Sequence, residues 1–425
     1  MPIGGFTTYA NLYFIMINFI TPIYLILASL ALFFLLFPFA KTLLSTMLKS
    51  KRPKKEGNKQ MDFACVITAY KNAAIAKPLV NSLLKQRYNN FTIYLVADAC
   101  THKEFDIKDE RLVVLFPSSD LNLKVKSIIY ATAHFVRDHD YTVVFDADNL
   151  AHPQFLAEMN RYANAGYLAI QGQRTAKNLD TIYACADSIG EFYKNYVERL
   201  APALLGSSSV ISGSGMAIER KLYQSYLDSP EIQEGKERGK RMLQEDKILQ
   251  NHILRKNIRI TYAEDAIVYD EKVTTAEAVE TQRSRWLYSY FQNMVNALEL
   301  IVKGITNFSF NQLLFGVLTI APPLFILLFG ATVLFLAGLW IAPWMAFALF
   351  VSLNVFALNI FWTLYLSKVP AQLWNAVWGI PLFIMRQVTA LAKMGNPDKN
   401  FKHTAHNRSV DIDELVLPER AHANG

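Results

Sequence analysis

From Tyr13 to Ala40 the chain carries no charged residue, and about 20 apolar residues are enough to cross ~30 Å of hydrocarbon. A stretch of this kind predicts a spanning helix. A cleaved leader is the rival reading. It needs a basic start, a core of roughly 7 to 15 apolar residues and a small-residue cleavage site, whereas here the start is neutral and the core is longer. Lys41, Lys49, Lys51, Arg52, Lys54, Lys55 and Lys59 all follow the run. With cations confined to that flank, the positive-inside rule puts Met1 outside and the chain from Lys41 onward in the cytoplasm.

The remaining composition narrows the class. Apolar residues make up 52% of the 425, which is incompatible with the low hydrophobicity and high charge of a disordered chain. Cys65, Cys100 and Cys185 have no pairing or metal-ligand spacing and read as free thiols in a reducing compartment. The excess of 43 Lys+Arg over 36 Asp+Glu, a net +7, raises nucleic acid as a partner. The cations cluster beside membrane segments and no helix shows the basic face that groove binding needs, so nucleic acid is excluded and the excess is an orientation signal.

Residues 62–269 read as an α/β domain. Short β-rich runs (Phe63 to Thr68, Thr92 to Ala97, Leu112 to Phe116, Tyr141 to Phe145) alternate with helical stretches at Ala76 to Gln86 and Val125 to Arg137. The alternation predicts a mainly parallel sheet with helices on both faces, whose ligands bind at the carboxyl ends of the strands. From Glu277 to Lys303 the pattern is amphipathic and aromatic, as in an interfacial helix. Two uncharged runs follow, Leu313 to Leu339 and Ile341 to Leu366, and predict a spanning hairpin with both ends cytoplasmic. Pro370 to Leu391 contains Gln372, Asn375, Arg386 and Gln387, and an in-plane helix is favoured over a fourth span. The partition is therefore 1–60 (spanning helix and basic linker), 61–276 (cytoplasmic catalytic domain), 277–310 (interfacial helices), 311–367 (hairpin) and 368–425 (amphipathic helix and cytoplasmic tail).

Four acidic or cationic signals sit where chemistry is expected. Asp98 ends the run Tyr94-Leu95-Val96-Ala97; a carboxylate there forms a helix cap or a turn, or, beside the equivalent end Thr68-Ala69-Tyr70, part of a nucleotide pocket. Val143-Val144-Phe145 runs into Asp146-Ala147-Asp148. Two acids placed where they repel suit a hard divalent cation that bridges phosphate oxygens, although D-x-D also occurs in surface turns. Glu245-Asp246 precedes an apparent helix start, where carboxylates are favoured electrostatically; if Asp246 faces the metal site, it can take a proton from an attacking hydroxyl. In Gln282-Arg283-Ser284-Arg285-Trp286, Arg285 can offer a fork to a diphosphate and Trp286 an apolar face to a sugar. Arg and Trp suit a membrane interface too.

In order, Asp98, D-x-D at Asp146 and Asp148, E-D at Glu245 and Asp246, and Q-x-x-R-W followed by a spanning hairpin resemble the membrane-embedded processive glycosyltransferases of family 2. These include the cellulose, hyaluronan, chitin-oligosaccharide and poly-N-acetylglucosamine synthases. The resemblance runs from about Phe63 to the tail. It implies a GT-A type nucleotide-sugar-binding domain inserted between transmembrane helices, in the bacterial inner (plasma) membrane. Asp98 would contact the uridine of a UDP-sugar, with Thr68, Ala69 and Tyr70 lining that pocket. Lys126, with Lys124 as the alternative, would match the family's lysine after the third strand. Asp148 would ligate Mg2+ or Mn2+ with Asp146 beside it on the donor diphosphate, and Asp246 would be the general base. Gln282, Arg285 and Trp286 would hold diphosphate and acceptor, with Glu245 also on the acceptor side. Ser212-Gly213-Ser214-Gly215-Met216 is similar to the acceptor-side loop, so Gly213, Ser214, Gly215 and Met216 would meet the glycan. Phe401-Lys402-His403-Thr404-Ala405-His406 is similar to the F-x-V-T-x-K gating motif of cellulose synthases, with Phe401 and Thr404 kept, His403 in place of the valine and His406 in place of the lysine.

The function expected is inverting, metal-dependent transfer of a hexose or N-acetylhexosamine from a UDP-sugar to a growing glycan, with membrane lipid around the spans. A single-transfer enzyme acting on a membrane lipid (ceramide, diacylglycerol or polyprenyl phosphate) shares the same motif order. Three spans give few walls for a glycan channel, which a homo-oligomer would relieve. A non-catalytic membrane scaffold would have lost the acids or the Arg-Trp pair, and both are present.

Overall fold

The computed structural model describes residues 19–48, 53, 59–237, 244–379 and 410–416. The chain forms two compact units, Met1–Met47 with Ala321–Lys368, and Leu48–Ile320 with Val369–Gly425.

The larger unit is built on eight strands: β1 (Phe63–Tyr70), β2 (Phe91–Asp98), β3 (Leu112–Leu115), β4 (Tyr141–Asp146), β5 (Leu150–Ala151), β6 (Ala169–Ala176), β7 (Met216–Glu219) and β8 (Ile260–Asp270), in the order β3-β2-β1-β4-β7-β6-β8-β5. β1, β2, β3 and β4 run parallel to one another, as does β6 to β8. β7 runs antiparallel to β4 and β6, and β5 to β8. The sheet is thus mixed, because the short β7 and β5 return against the common direction.

Period-2 alternation assigns each strand residue to one of two cores. Val66, Val96, Val144 and Ile218 pack with Val125, Ile128, Leu249 and Ile253 on one face. Ile67, Leu95, Phe145 and Ala217 pack with Leu79, Leu83, Phe155 and Met159 on the other. The expected covering of both faces by helices is present. The 3-10 turn Ala73–Ala76 leads into helix Lys77–Leu84, and helix Lys124–Ala133 follows β3. Cys65, Cys100 and Cys185 are free.

The amphipathic stretch is one helix, Ala276–Thr306, 31 residues long. Helix Phe310–Ile320 packs back on it. Gly316 allows this, because a side chain there would meet Ile301 and the Ala297 carbonyl at 2.8–2.9 Å. This corrects the expected hairpin, whose first arm begins at Leu324 and not at Leu313. Pro322-Pro323 withholds backbone donors and separates the two helices.

In the smaller unit, Thr21–Thr46, Leu324–Ile341 and Pro343–Leu366 are each long and apolar enough to cross a membrane. The last two are separated by Ala342 alone. Tyr24 lies against Gly338, and Phe39 meets Trp362 with ring centroids 5.9 Å apart.

Candidate active site

The parallel register sets the carboxyl ends of β1, β2 and β4 at one rim, with Tyr70 opposite Asp98 and Thr68 opposite Asp146. Three non-glycine residues at this rim have left-handed backbones: Lys71 (φ 64°), Ala99 (φ 52°) and Asn122 (φ 54°). Such conformations persist only where surrounding contacts hold them, and they collect at functional sites. Here the Lys71 N–H donates to the Asp98 carbonyl at 2.8 Å, and the Tyr70 hydroxyl to Asn122 Oδ1 at 2.9 Å.

Asp98 is 3% exposed, and its two carboxylate oxygens accept the backbone N–H groups of Leu121 (2.7 Å) and Asn122 (2.8 Å). The side chain therefore ties down the loop before helix 124–133. Ala69 is buried in the core, so its backbone is what it offers the rim.

At the end of β4 the Asp146 N–H donates to Asn149 Oδ1 at 3.1 Å and the Asn149 N–H to the Asp146 carbonyl at 3.0 Å, closing the D-x-D turn. Lys124 Nζ lies 2.6 Å from Asp146 Oδ1, 3.0 Å from the Gly213 carbonyl and 3.7 Å from Glu245 Oε1. One ammonium therefore meets the D-x-D, the glycine loop and the E-D pair. Burial opposes its charge, but Asp146 and Glu245 overcome that and hold its pKa above the ordinary lysine value. Burial pushes the Glu245 carboxyl up, with Lys124 opposing and Asp246 adding to the rise. Of the two lysines expected after the third strand, Lys124 is the one that meets these groups; Lys126, two residues on, is turned about 200° around the helix axis from it.

Among the described residues no three His, Cys, Asp or Glu side chains form a metal cage. A cation here would take its other ligands from water and substrate oxygens, and Mg2+ is ordinarily held in that way, by one or two carboxylates, phosphates and several waters. Asp146 and Asp148, flanking Ala147 at the strand end, fit as that partial set.

In the loop 212–216, Gly213 (φ +80°) and Gly215 (φ +62°) take backbones open to glycine. A side chain on Gly215 would meet Val268 at 2.9 Å, and one on Gly213 would meet Asp246 Cβ at 3.6 Å, so Asp246 borders this loop. The Ser212 and Ser214 hydroxyls are buried without a hydrogen-bond partner. Met216 begins β7 and packs in the core, which corrects its expected role as an acceptor contact.

Gln282, Arg285 and Trp286 lie in the first third of helix 276–306. Gln282 Oε1 is buried and makes no hydrogen bond, and burial lowers the pKa of the Arg285 guanidinium. Trp286 is 41% exposed. Arg283 and Lys194 lie over its ring, 4.2 and 4.6 Å from the centroid, while Arg283 also pairs with Asp187. Phe401, Thr404 and His406 lie outside the described residues.

Sequence reasoning missed a buried ionic group beside this rim. Arg174 on β6 donates to the Ser212 carbonyl at 2.8 Å and pairs with Asp270. Lys272 lies 3.0 Å from Asp270 and 3.3 Å from Glu191, which Arg199 meets at 2.8 Å. Burial alone would raise the Glu191 carboxyl, yet Lys272 and Arg199 hold it well below its usual range. Lys177 Nζ is 3.2 Å from the Asp148 carbonyl. The available signal was a pair of cations, Arg174 and Lys177, close after the apolar segment Leu168-Ala169-Ile170.

A mixed sheet with a strained carboxyl rim, a D-x-D turn and an acid pair is the frame of a GT-A-like nucleotide-sugar enzyme. Residues 60–289, more than half of the chain, match the model of the glycosyltransferase-like family 2. The chain belongs to that family and is a glycosyltransferase. Its fold is similar to that of a mannosyltransferase from Pyrobaculum calidifontis, PcManGT, solved with GDP-mannose and Mn2+: TM-score 0.52 and 16% identity over 87% of this chain and 98% of the other. A second similar structure is TarS 1-349 of S. aureus with UDP, with a TM-score of 0.38 and 14% identity over 57% and 66% of the two chains. A comparison with proteins of curated function gives no match.

Proposed function

We propose that the protein transfers a hexose or N-acetylhexosamine from a UDP-sugar to a hydroxyl of a growing glycan, in one inverting displacement at the cytoplasmic face of a membrane. The observation that carries this reading is Lys124, whose ammonium meets Asp146, Gly213 and Glu245 together. The D-x-D turn, the glycine loop and the acid pair are thereby drawn to one point.

In this reading the rim of Thr68, Ala69 and Tyr70 holds the nucleoside, and Asp98 shapes its floor. Asp246 takes the proton of the acceptor hydroxyl. The acceptor oxygen attacks the anomeric carbon from the side opposite the diphosphate, the bond from that carbon to the diphosphate oxygen breaks, and the linkage inverts to β. Lys124, Gln282 and Arg285 hold the departing diphosphate, while Glu245, Trp286 and the backbone of Gly213 to Gly215 face the acceptor. Mg2+ or Mn2+, held by Asp148 and Asp146 when bound, supplies neutralisation of the diphosphate charge.

The membrane assignment rests on the three apolar helices and on the cations after the first. If 324–341 and 343–366 both cross, the chain returns to the face it left, so residues 48–320 and the chain directly after Leu366 share the cytoplasmic side. We keep the partition expected from sequence as part of this reading, with the hairpin narrowed to 324–366.

A second acceptor, a membrane lipid, is favoured by a specific feature. Phe291, Val295, Leu298, Val302 and Ile305 form an exposed apolar stripe on the same helix as Gln282, Arg285 and Trp286. A stripe at this spacing lies well in a lipid interface.

Three experiments test the reading. A panel of nucleotide sugars, read by nucleoside diphosphate release, identifies the donor. Sizing the product then separates a saccharide ladder from one glycolipid. In Asp246→Asn, turnover should fall by about 10² to 10⁴ with donor affinity nearly unchanged; parent-like turnover would remove Asp246 from the base role.

A further inference from the structure

The residue just before the acid pair sits in a conformation that ordinary residues avoid. Gln244 has φ 51° and ψ 46°, the left-handed region in which Cβ crowds the following carbonyl oxygen. Although it occupies the helix N-cap, its side chain caps nothing. The carboxamide leaves its own helix instead. Nε2 donates to Gln292 Oε1, and Oε1 accepts from Asn293 Nδ2, so adjacent residues of helix 276–306 satisfy both ends of one amide. Gln244 is 8% exposed.

The tie is the first of a polar seam between two helices. Asn296 donates to Asn293 Oδ1 at 3.2 Å, and Arg255 reaches Asn296 at 3.2 Å and Glu299 at 2.8 Å. Helix 245–255, which begins with the acid pair, is therefore fastened to the helix that carries Gln282, Arg285 and Trp286. The fastening point nearest the chemistry is Gln244, next to Glu245 and one residue further from Asp246.

We propose that Gln244 is a positioning residue for glycosyl transfer: its amide tie fixes Asp246 relative to the helix bearing Gln282 and Arg285. The inference rests on Asp246 being the base. A left-handed residue left to itself relaxes; one held by two hydrogen bonds cannot, and its backbone then sets the direction in which the first turn of helix 245–255 leaves. A displacement of about 1 Å at a base costs on the order of 10²-fold in rate.

The test uses the full-length enzyme with the UDP-sugar that supports most diphosphate release. Gln244→Ala and Gln292→Leu should each lower kcat by about tenfold or more while KM for the donor stays within about twofold. The double variant should be no worse than Gln244→Ala, which already removes the bond that Gln292→Leu cuts. Gln292→Glu, which still accepts from Gln244 Nε2, should keep kcat within about threefold of the parent. A merely structural role would instead lower the melting temperature and leave kcat of the folded enzyme unchanged. Parent-like kcat in Gln244→Ala, or a loss confined to KM, overturns the proposal. Full activity in Asp246→Asn withdraws the base assignment and the proposal with it. Full activity in Gln244→Ala beside an inert Asp246→Asn withdraws the proposal alone.

Discussion

Lys124 shows how far single residues were legible. The acids announced themselves through order and spacing, since an apolar strand running into Asp146-Ala147-Asp148 needs only the strand to be recognised. The lysine needed helical phase. Lys124 is the first residue of its helix, and because side chains on a helix tilt toward its N-terminus, it reaches back to the rim while Lys126 turns away. A cation at that end is disfavoured by the helix dipole, so the acids opposite must hold it there. Lys124→Met should therefore lower kcat/KM by at least about tenfold, read by diphosphate release. It should cost about 1 kcal/mol of stability, since Asp146 remains partly solvated.

At the scale of elements, β1 to β4 were read from uninterrupted apolar runs, whereas β6 and β8 were hidden. Gln171, Gln173 and Arg174 in one, and Glu264 and Asp265 in the other, break the apolar pattern because these strands line the site and a bulge. The break at Pro322-Pro323 lay within an uncharged run, where hydropathy alone does not report a helix end. The elements at the opposite rim are joined by a chain of hydrogen bonds. The Val136 N–H donates to the Tyr94 hydroxyl at 3.0 Å, that hydroxyl lies 2.8 Å from His139 Nε2, and His139 Nδ1 lies 2.6 Å from Asp62 Oδ1. The arrangement suits a neutral imidazole with its proton on Nδ1. Burial lowers the His139 pKa, against the raising effect of Asp62. A histidine whose folded pKa is depressed stabilises the fold above its unfolded value, about 6.5, and loses that contribution as the pH falls through the folded value. Melting temperature should thus drop between about pH 7 and 5, and His139→Gln should flatten that slope. In the glycine loop, Gly215→Ala should destabilise by about 1–3 kcal/mol, through overpacking against Val268 and an unfavourable positive φ, measurable as a lower melting temperature.

For the molecule as a whole, the three long apolar helices were legible in the sequence because charge is absent from Tyr13 to Ala40 and again from Gly304 to Ser367. Where the C-terminal segment rests was not, since a few residues meeting a distant strand leave no periodic trace. Ile412 is buried against Leu150 and Tyr269, with Val410, Leu415 and Val416 around it, and Lys85 lies 2.8 Å from both Asp411 and Asp413. Leu150 belongs to β5, the last strand of the sheet.

That contact makes the segment a guard against self-association. An open sheet margin is a template for pairing with another chain, and natural proteins blunt it by shortening the last strand or laying another segment over it; β5 has two residues and Ile412 rests on one of them. Ending the chain before Val410 would bare Leu150, Tyr269 and Ile267 together. Light scattering should then show oligomers growing with protein concentration, and Ile412→Asp should give a weaker version of the same effect. Residues 410–416 would then matter less for turnover than for keeping copies of the enzyme apart.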